Sequence, residues 1–172
     1  MVLPVPFSQA YWVVPNRLLA GAYPSSTERE ALSLLQAGIR HVVSLVGEGE
    51  GDSSGSHLVS YMPALQRVAT DLGVTVTVAR FPIADFGIPS PAGMKAILDS
   101  IDGQLALGRP VYVHCRGGIG RTGTVVGCYL AREGIALGHE AVLAIQRLRG
   151  DGVESPETEA QRRFVREWRK GA

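Results

Sequence analysis

Apolar positions along the chain alternate between a strand-like period of two and a helix-like period near 3.6. Tyr11 to Val14 and Arg17 to Ala20 form two short β-like runs joined at Pro15-Asn16, a favourable turn pair. Thr27 and Glu30 have the spacing of a capping box, and Ala31, Leu34 and Leu35 follow at helical spacing as far as Gly38. His41 to Val46 reads as a buried strand, and the Gly-Glu-Gly-Glu-Gly-Asp-Ser-Ser-Gly run at 47–55 as a flexible loop. Pro63 suits a first helical turn, continued by Leu65, Val68, Ala69 and Leu72, and Val74 to Ala79 alternates as a strand. Phe81 to Ser90 is a loop marked by Pro82, Gly87 and Pro89.

Ser90-Pro91 then caps a helix whose apolar face is Met94, Ile97, Leu98, Ile101 and Leu105. Pro110 to His114 is a short buried strand, and after a glycine-rich turn Thr124 to Arg132 reads as a helix. Helices are also expected over 139–149 and over 156–170, the latter opened by Ser155-Pro156. Strands alternating with helices predict an α/β fold: one domain over 1–172, its central sheet mostly parallel, four- to five-stranded and flanked by helices.

Composition narrows the function classes. The chain has 172 residues, 45% of them hydrophobic, enough for one sizeable core. Seventeen basic and 16 acidic residues are well mixed, giving a formal net charge of +1, so the clustered cations of a nucleic-acid or polybasic membrane surface are missing. Met1 to Ala10 lacks the charge and apolar run of a secretory signal, and no stretch has the length of a membrane span. A cytoplasmic monomer is the expectation. The two cysteines, Cys115 and Cys128, are too few for a disulfide framework or a structural zinc site, and no metal or other cofactor is expected. Cys128 reads as a small buried hydrophobe.

Cys115 reads otherwise, because of what surrounds it: His114-Cys115-Arg116-Gly117-Gly118-Ile119-Gly120-Arg121-Thr122. A strand ends, the chain turns through glycines and a helix begins, the place where open α/β sheets bind ligands. Three glycines in four residues let successive N–H groups surround one anion, and the following helix adds its positive dipole end. A thiol in such a field is expected to be held as the nucleophilic thiolate. Arg121 can return across the loop and grip two oxygens of a phosphate with its planar fork, and the Thr122 hydroxyl can donate to the sulfur as it leaves.

Two other chemistries fit less well. Gly118-x-Gly120-x-x-Gly123 matches a dinucleotide fingerprint, but Glu140, at the right distance for the ribose acid, has no strand before it. A Cys-His protease pair is excluded because neighbours on a strand point to opposite faces, so His114 cannot serve as base to Cys115. His114 is expected to face inward and fix the loop backbone.

The segment resembles the signature of the protein tyrosine phosphatase superfamily, His-Cys-x5-Arg followed by Ser or Thr. The likeness runs from about residue 75 to the C-terminus, and it looks closest to small dual-specificity phosphatases of the kinase-associated type. Phe81-Pro82-Ile83-Ala84-Asp85, Val113 to Arg121 and Leu148-Arg149-Gly150 carry it, and Leu18 to Pro24 has the same look. The resemblance implies a metal-free phosphomonoester hydrolase acting on phosphotyrosine or phosphoserine/threonine in proteins. Cys115 is then nucleophile, Arg121 clamp, Asp85 general acid, and Arg116, Gly117, Gly118, Ile119, Gly120, Arg121 and Thr122 the phosphate cup.

Asp85 also lies just beyond a predicted strand, in a loop whose Gly87 and prolines would let it move over substrate; an Asx-turn is the alternative. Gln161 resembles a glutamine that orients the hydrolytic water, an exposed helical glutamine being equally consistent. The absence of a Lys-Asn-Arg-Tyr segment argues against the large tyrosine phosphatases. Arg116 at the first loop position but Ile119 at the fourth weakens a phosphoinositide substrate, which stays as an alternative to a protein. A phosphoprotein-binding module without turnover is the other class left open. Glu48, Glu50 and Asp52 either edge the cleft and favour basic substrates or form a solvated loop.

Overall fold

A computed structural model describes Met1 and residues 3–172. Five strands order as β1 (Ala10–Val14), β2 (Leu18–Gly21), β5 (Val111–His114), β3 (His41–Ser44) and β4 (Thr77–Arg80). Only β1 against β2 is antiparallel; the three other pairings are parallel. The β1–β2 turn closes as expected, with Arg17 N–H donating to Val14 O and Asn16 at φ +60° in the place a type II turn needs a left-handed residue. In β5, flanked on both sides, Val111 and Val113 face one core and Tyr112 the other.

Six helices cover the two faces: α1 (Glu28–Gln36) and α2 (Met62–Asp71) on the Tyr112 side; α3 (Pro91–Ala106), α4 (Gly120–Arg132), α5 (His139–Arg149) and α6 (Glu159–Glu167) on the other. This is the predicted α/β sheet, five-stranded and mostly parallel. Ser90 caps α3 as its position implied, its Oγ accepting from Gly93 N–H at 3.0 Å. At α1 the box is half made: Thr27 Oγ1 accepts from Glu30 N–H, while the Glu30 carboxylate turns to Ser25 N–H.

Several boundaries, and the character of one loop, depart from the sequence reading. β4 runs 77–80 rather than 74–79. The helix after the glycine turn starts at Gly120, four residues early, and its first glycine makes room for a neighbour: a Cβ on Gly120 would meet Gln161 Oε1 at 2.9 Å. α6 starts at Glu159, not Pro156, since Thr158 and Gln161 form a complete capping box. The 47–55 loop is a self-bonded turn: Asp52 Oδ1 accepts from Ser54 and Ser56 N–H, and Gly51 pairs with His57.

Candidate active site

Parallel strands β3, β4 and β5 deliver three segments to one edge of the sheet: the 47–57 turn, the Phe81–Ser90 loop and the loop 115–119. Strand alternation separates His114 from Cys115 as expected. His114 stacks on Tyr112 and is flanked by Tyr23 and Tyr61, while Cys115 belongs to the opposite core and is 3% exposed.

His114 Nδ1 lies 3.0 Å from Cys115 O and its Nε2 2.8 Å from Tyr61 Oη. A carbonyl only accepts, so Nδ1 carries the proton and Nε2 accepts from the tyrosine hydroxyl. Burial pushes the imidazole pKa down to about 4, against the raising effect of the Cys115 carbonyl, so the ring is neutral at pH 7.

The loop is built by holding its carbonyls outside. Cys115 O takes the His114 ring N–H, Arg116 O takes Tyr23 N–H at 2.9 Å, Gly118 O takes Arg149 Nη1 at 2.6 Å, and Ile119 O takes Ser155 Oγ at 2.6 Å. A trans peptide sets its N–H opposite its C=O. The N–H groups of Arg116, Gly117, Ile119 and Gly120 therefore face the inner side, and Gly118 N–H donates to Cys115 Sγ at 3.3 Å. Gly118 sits at φ +72°, and a Cβ there would stand 2.5 Å from Gly21 C, so only glycine fits.

Arg121 rises from the first turn of α4 with a side chain 1% exposed. Nη1 donates to Ile83 O at 3.0 Å, and Nη2 lies 3.1 Å from Asp85 Oδ1. Asp85 Oδ2 meets Arg116 Nη2 at 2.9 Å, and Asp85 Oδ1 also accepts from Phe86 N–H at 3.1 Å. Cys115, Arg116, Arg121 and Asp85 are thus brought together at one point.

Glu50, of the 47–57 turn, reaches into the site. Its carboxylate grips Arg121 with both oxygens, Oε1 at 2.6 Å from Nη2 and Oε2 at 2.8 Å from Nη1. The Arg121 hydrogen bonds hold the Glu50 carboxyl below its usual range. The signal was present: an acid just past a strand that pairs with the cysteine strand. Ser155, which holds the loop from outside, and Tyr61, which holds His114, gave no such signal, and Tyr23 and Arg149 lie in segments that carried the family likeness without pointing to this role.

Three expectations change. Thr122 Oγ1 donates to Gly21 O at 3.3 Å rather than to the sulfur, because α4 starts early and turns this residue to β2. Gln161 is buried, not exposed: its Oε1 accepts from Glu157 and Thr158 N–H, and its Nε2 donates to Gly87 O at 3.1 Å. The acid loop is tied on both flanks, by that bond and by Ile83 N–H on Leu45 O. Cys128 lies in the core, where burial pushes its thiol pKa up.

Beside the loop, a groove of about 480 Å³ lined by Tyr23, Ser25, Ser26, Val59, Arg116 and others runs toward the start of α1. Among the described residues no helix is long and apolar enough to cross a membrane.

Residues 8–172 match the family model described as Swiss Army Knife protein, DSP-PTPase phosphatase domain. The mouse (Mus musculus) protein tyrosine phosphatase domain-containing protein 1 is 29% identical over 164 residues, covering 91% of this chain and 21% of that relative; the chain spans about a fifth of the relative's length. The structure of Tk-PTP in its active form superposes with a TM-score of 0.74 over 93% of this chain and 95% of that one, at 27% identity. Kinase-associated phosphatase, solved with its catalytic-site cysteine replaced by serine, gives a TM-score of 0.71 over 87% of this chain and 84% of that one, a likeness of fold at 23% identity. With a family model covering nearly its whole length, the chain belongs to the small dual-specificity, DSP-type phosphatase domains of the protein tyrosine phosphatase superfamily.

Proposed function

We propose that this domain hydrolyses phosphomonoesters on proteins through a cysteinyl-phosphate on Cys115, without a metal. One observation carries the reading most: Asp85, 30 residues before the cysteine and on a different loop, has its carboxylate on both arginines of the cup, Arg116 and Arg121. A module that only bound phosphate would gain nothing from an acid there, since a carboxylate repels the ligand.

In the first step Cys115 Sγ attacks phosphorus, the phosphorus–oxygen bond to the leaving group breaks, and Asp85 gives its proton to the departing oxygen. In the second, water attacks phosphorus, its proton passes to Asp85, and the sulfur–phosphorus bond breaks to return the thiolate. The N–H groups of the loop and Arg121 stabilise the oxygens of the transferring group throughout. Arg121 keeps its orientation because Glu50 holds its other edge.

The groove continuing from Arg116 supports a polypeptide substrate, with room for residues flanking the phosphorylated one. A nucleophilic thiol suits the reducing cytoplasm.

The test is hydrolysis of p-nitrophenyl phosphate in excess EDTA by wild type and Cys115→Ser, followed by phosphotyrosine and phosphoserine/threonine peptides. Turnover in the wild type that vanishes in the variant is the expected result. A folded, reduced wild type that turns over none of these substrates overturns the proposal.

A further inference from the structure

One peptide unit of the phosphate cup, Gly118–Ile119, is gripped from outside by a single side chain far along the sequence. Arg149, the last residue of α5, places Nη1 2.6 Å from Gly118 O. Its other edge is taken by Asp151, with Nε 3.2 Å from Oδ1 and Nη2 2.6 Å from Oδ2. Asp151 is itself held by Val153 N–H at 3.0 Å. The guanidinium lies over the ring of Tyr11, 5.5 Å from its centroid, and the Arg149 side chain is 6% exposed. A planar fork fixed on one face and one edge holds its Nη1 donor in a defined direction.

We infer that Arg149 is a positioning residue of the phosphate cup: by holding Gly118 O outward it aims the Ile119 N–H at the phosphoryl group. This rests on the phosphatase reading above. Gly118, at φ +72° and without a side chain, does little by itself to resist rotation of this peptide. A rotated peptide would turn its carbonyl dipole toward a dianion. The positive charge of Arg149 is paired with Asp151, so its effect is one of direction rather than of long-range field. Ser155 performs the same service for the next peptide, with Oγ 2.6 Å from Ile119 O, but that carbonyl also receives Gly123 N–H at 3.2 Å. The two clamps are therefore unequal: removing Ser155 leaves Ile119 O a donor, whereas removing Arg149 takes away the one described here for Gly118 O.

The experiment measures tungstate affinity by calorimetry, kcat and KM on p-nitrophenyl phosphate, and thermal melting for wild type, Arg149→Met, Arg149→Lys and Ser155→Ala. Misaiming one oxyanion donor is expected to cost Arg149→Met ~10–100-fold in kcat and about tenfold in tungstate affinity, with Ser155→Ala losing less than about fivefold. Arg149→Lys, which keeps a donor but not the planar fork, recovers only part of both. A folded Arg149→Met with wild-type tungstate affinity and kcat overturns the inference, whatever its melting temperature. If Arg149→Met fails to fold, Asp151→Asn, which loosens the fork while keeping its size, takes its place: several-fold weaker tungstate binding supports the inference and unchanged binding overturns it. Tungstate binding needs no turnover, so a wild type that binds but does not hydrolyse defeats the catalytic reading while still testing Arg149. A wild type that binds no tungstate defeats both.

Discussion

Glu50 and Arg121 stand 71 residues apart in sequence and share two hydrogen bonds, of 2.6 and 2.8 Å, that fix the guanidinium plane. Glu50→Gln leaves a buried arginine half satisfied. The expected loss is about 2–3 kcal/mol of unfolding free energy, below the roughly 3–5 kcal/mol of a fully enclosed pair because the mouth of the site admits water. Urea unfolding checks this. Activity should fall about tenfold or more as the fork tilts, and a variant of wild-type activity would show that Arg121 needs no outside support.

The buried His114 makes stability depend on pH in a defined direction. Its folded pKa of about 4 lies below the ordinary 6.5, so between those values the unfolded chain binds the proton and the folded one does not. Stability is therefore full above about pH 6.5 and falls as pH drops toward 4, by about 3 kcal/mol in all. Glu50, lowered rather than raised, adds its loss only below its ordinary 4.5. Denaturation midpoints of wild type and His114→Gln across pH 7 to 5 isolate the histidine: the variant's curve should be flatter there.

If Asp85 supplies the leaving-group proton, Asp85→Asn should lose about 10²–10⁴ in kcat on phenyl phosphate. On 2,4-dinitrophenyl phosphate, whose leaving group departs without a proton, the loss should be far smaller. Equal losses on both substrates would remove Asp85 from the acid role and leave it a structural partner of Arg116.

Two glycines should respond oppositely to alanine. Gly118→Ala forces a Cβ into the backbone at Gly21 and Ala22 from a positive φ, and should abolish activity and lower the melting temperature. Gly103, inside α3 with open space where a Cβ would go, should gain about 0.5–1 kcal/mol of stability as alanine. Thermal melts of both variants decide the matter.

The sheet, the helix pattern and the glycine loop between β5 and α4 were legible because each rests on local signals: apolar periodicity, Ser90-Pro91 at a cap, glycines between a strand and a helix. The supports of that loop were not. Tyr23, Arg149 and Ser155 act through partners 31 to 93 residues away, and no periodicity records such pairings. The glycines of α4 misled for a related reason. Gly120 and Gly123 read as part of a glycine-rich turn ahead of the helix, yet they lie within α4, where Gln161 and Ser155 approach the helix backbone. Thr158 and Gln161, at capping-box spacing, were a readable helix start that Pro156 obscured.

The bond from Gln161 to Gly87 and that from Ile83 to Leu45 confine the segment between fixed pivots to the short arc of Ala84, Asp85 and Phe86, itself closed by Gly87 N–H on Ala84 O. An acid carried on so short an arc sweeps little solvent. Turnover should then be insensitive to added glycerol or sucrose wherever bond breaking limits the rate, in contrast to enzymes that wait on a swinging lid.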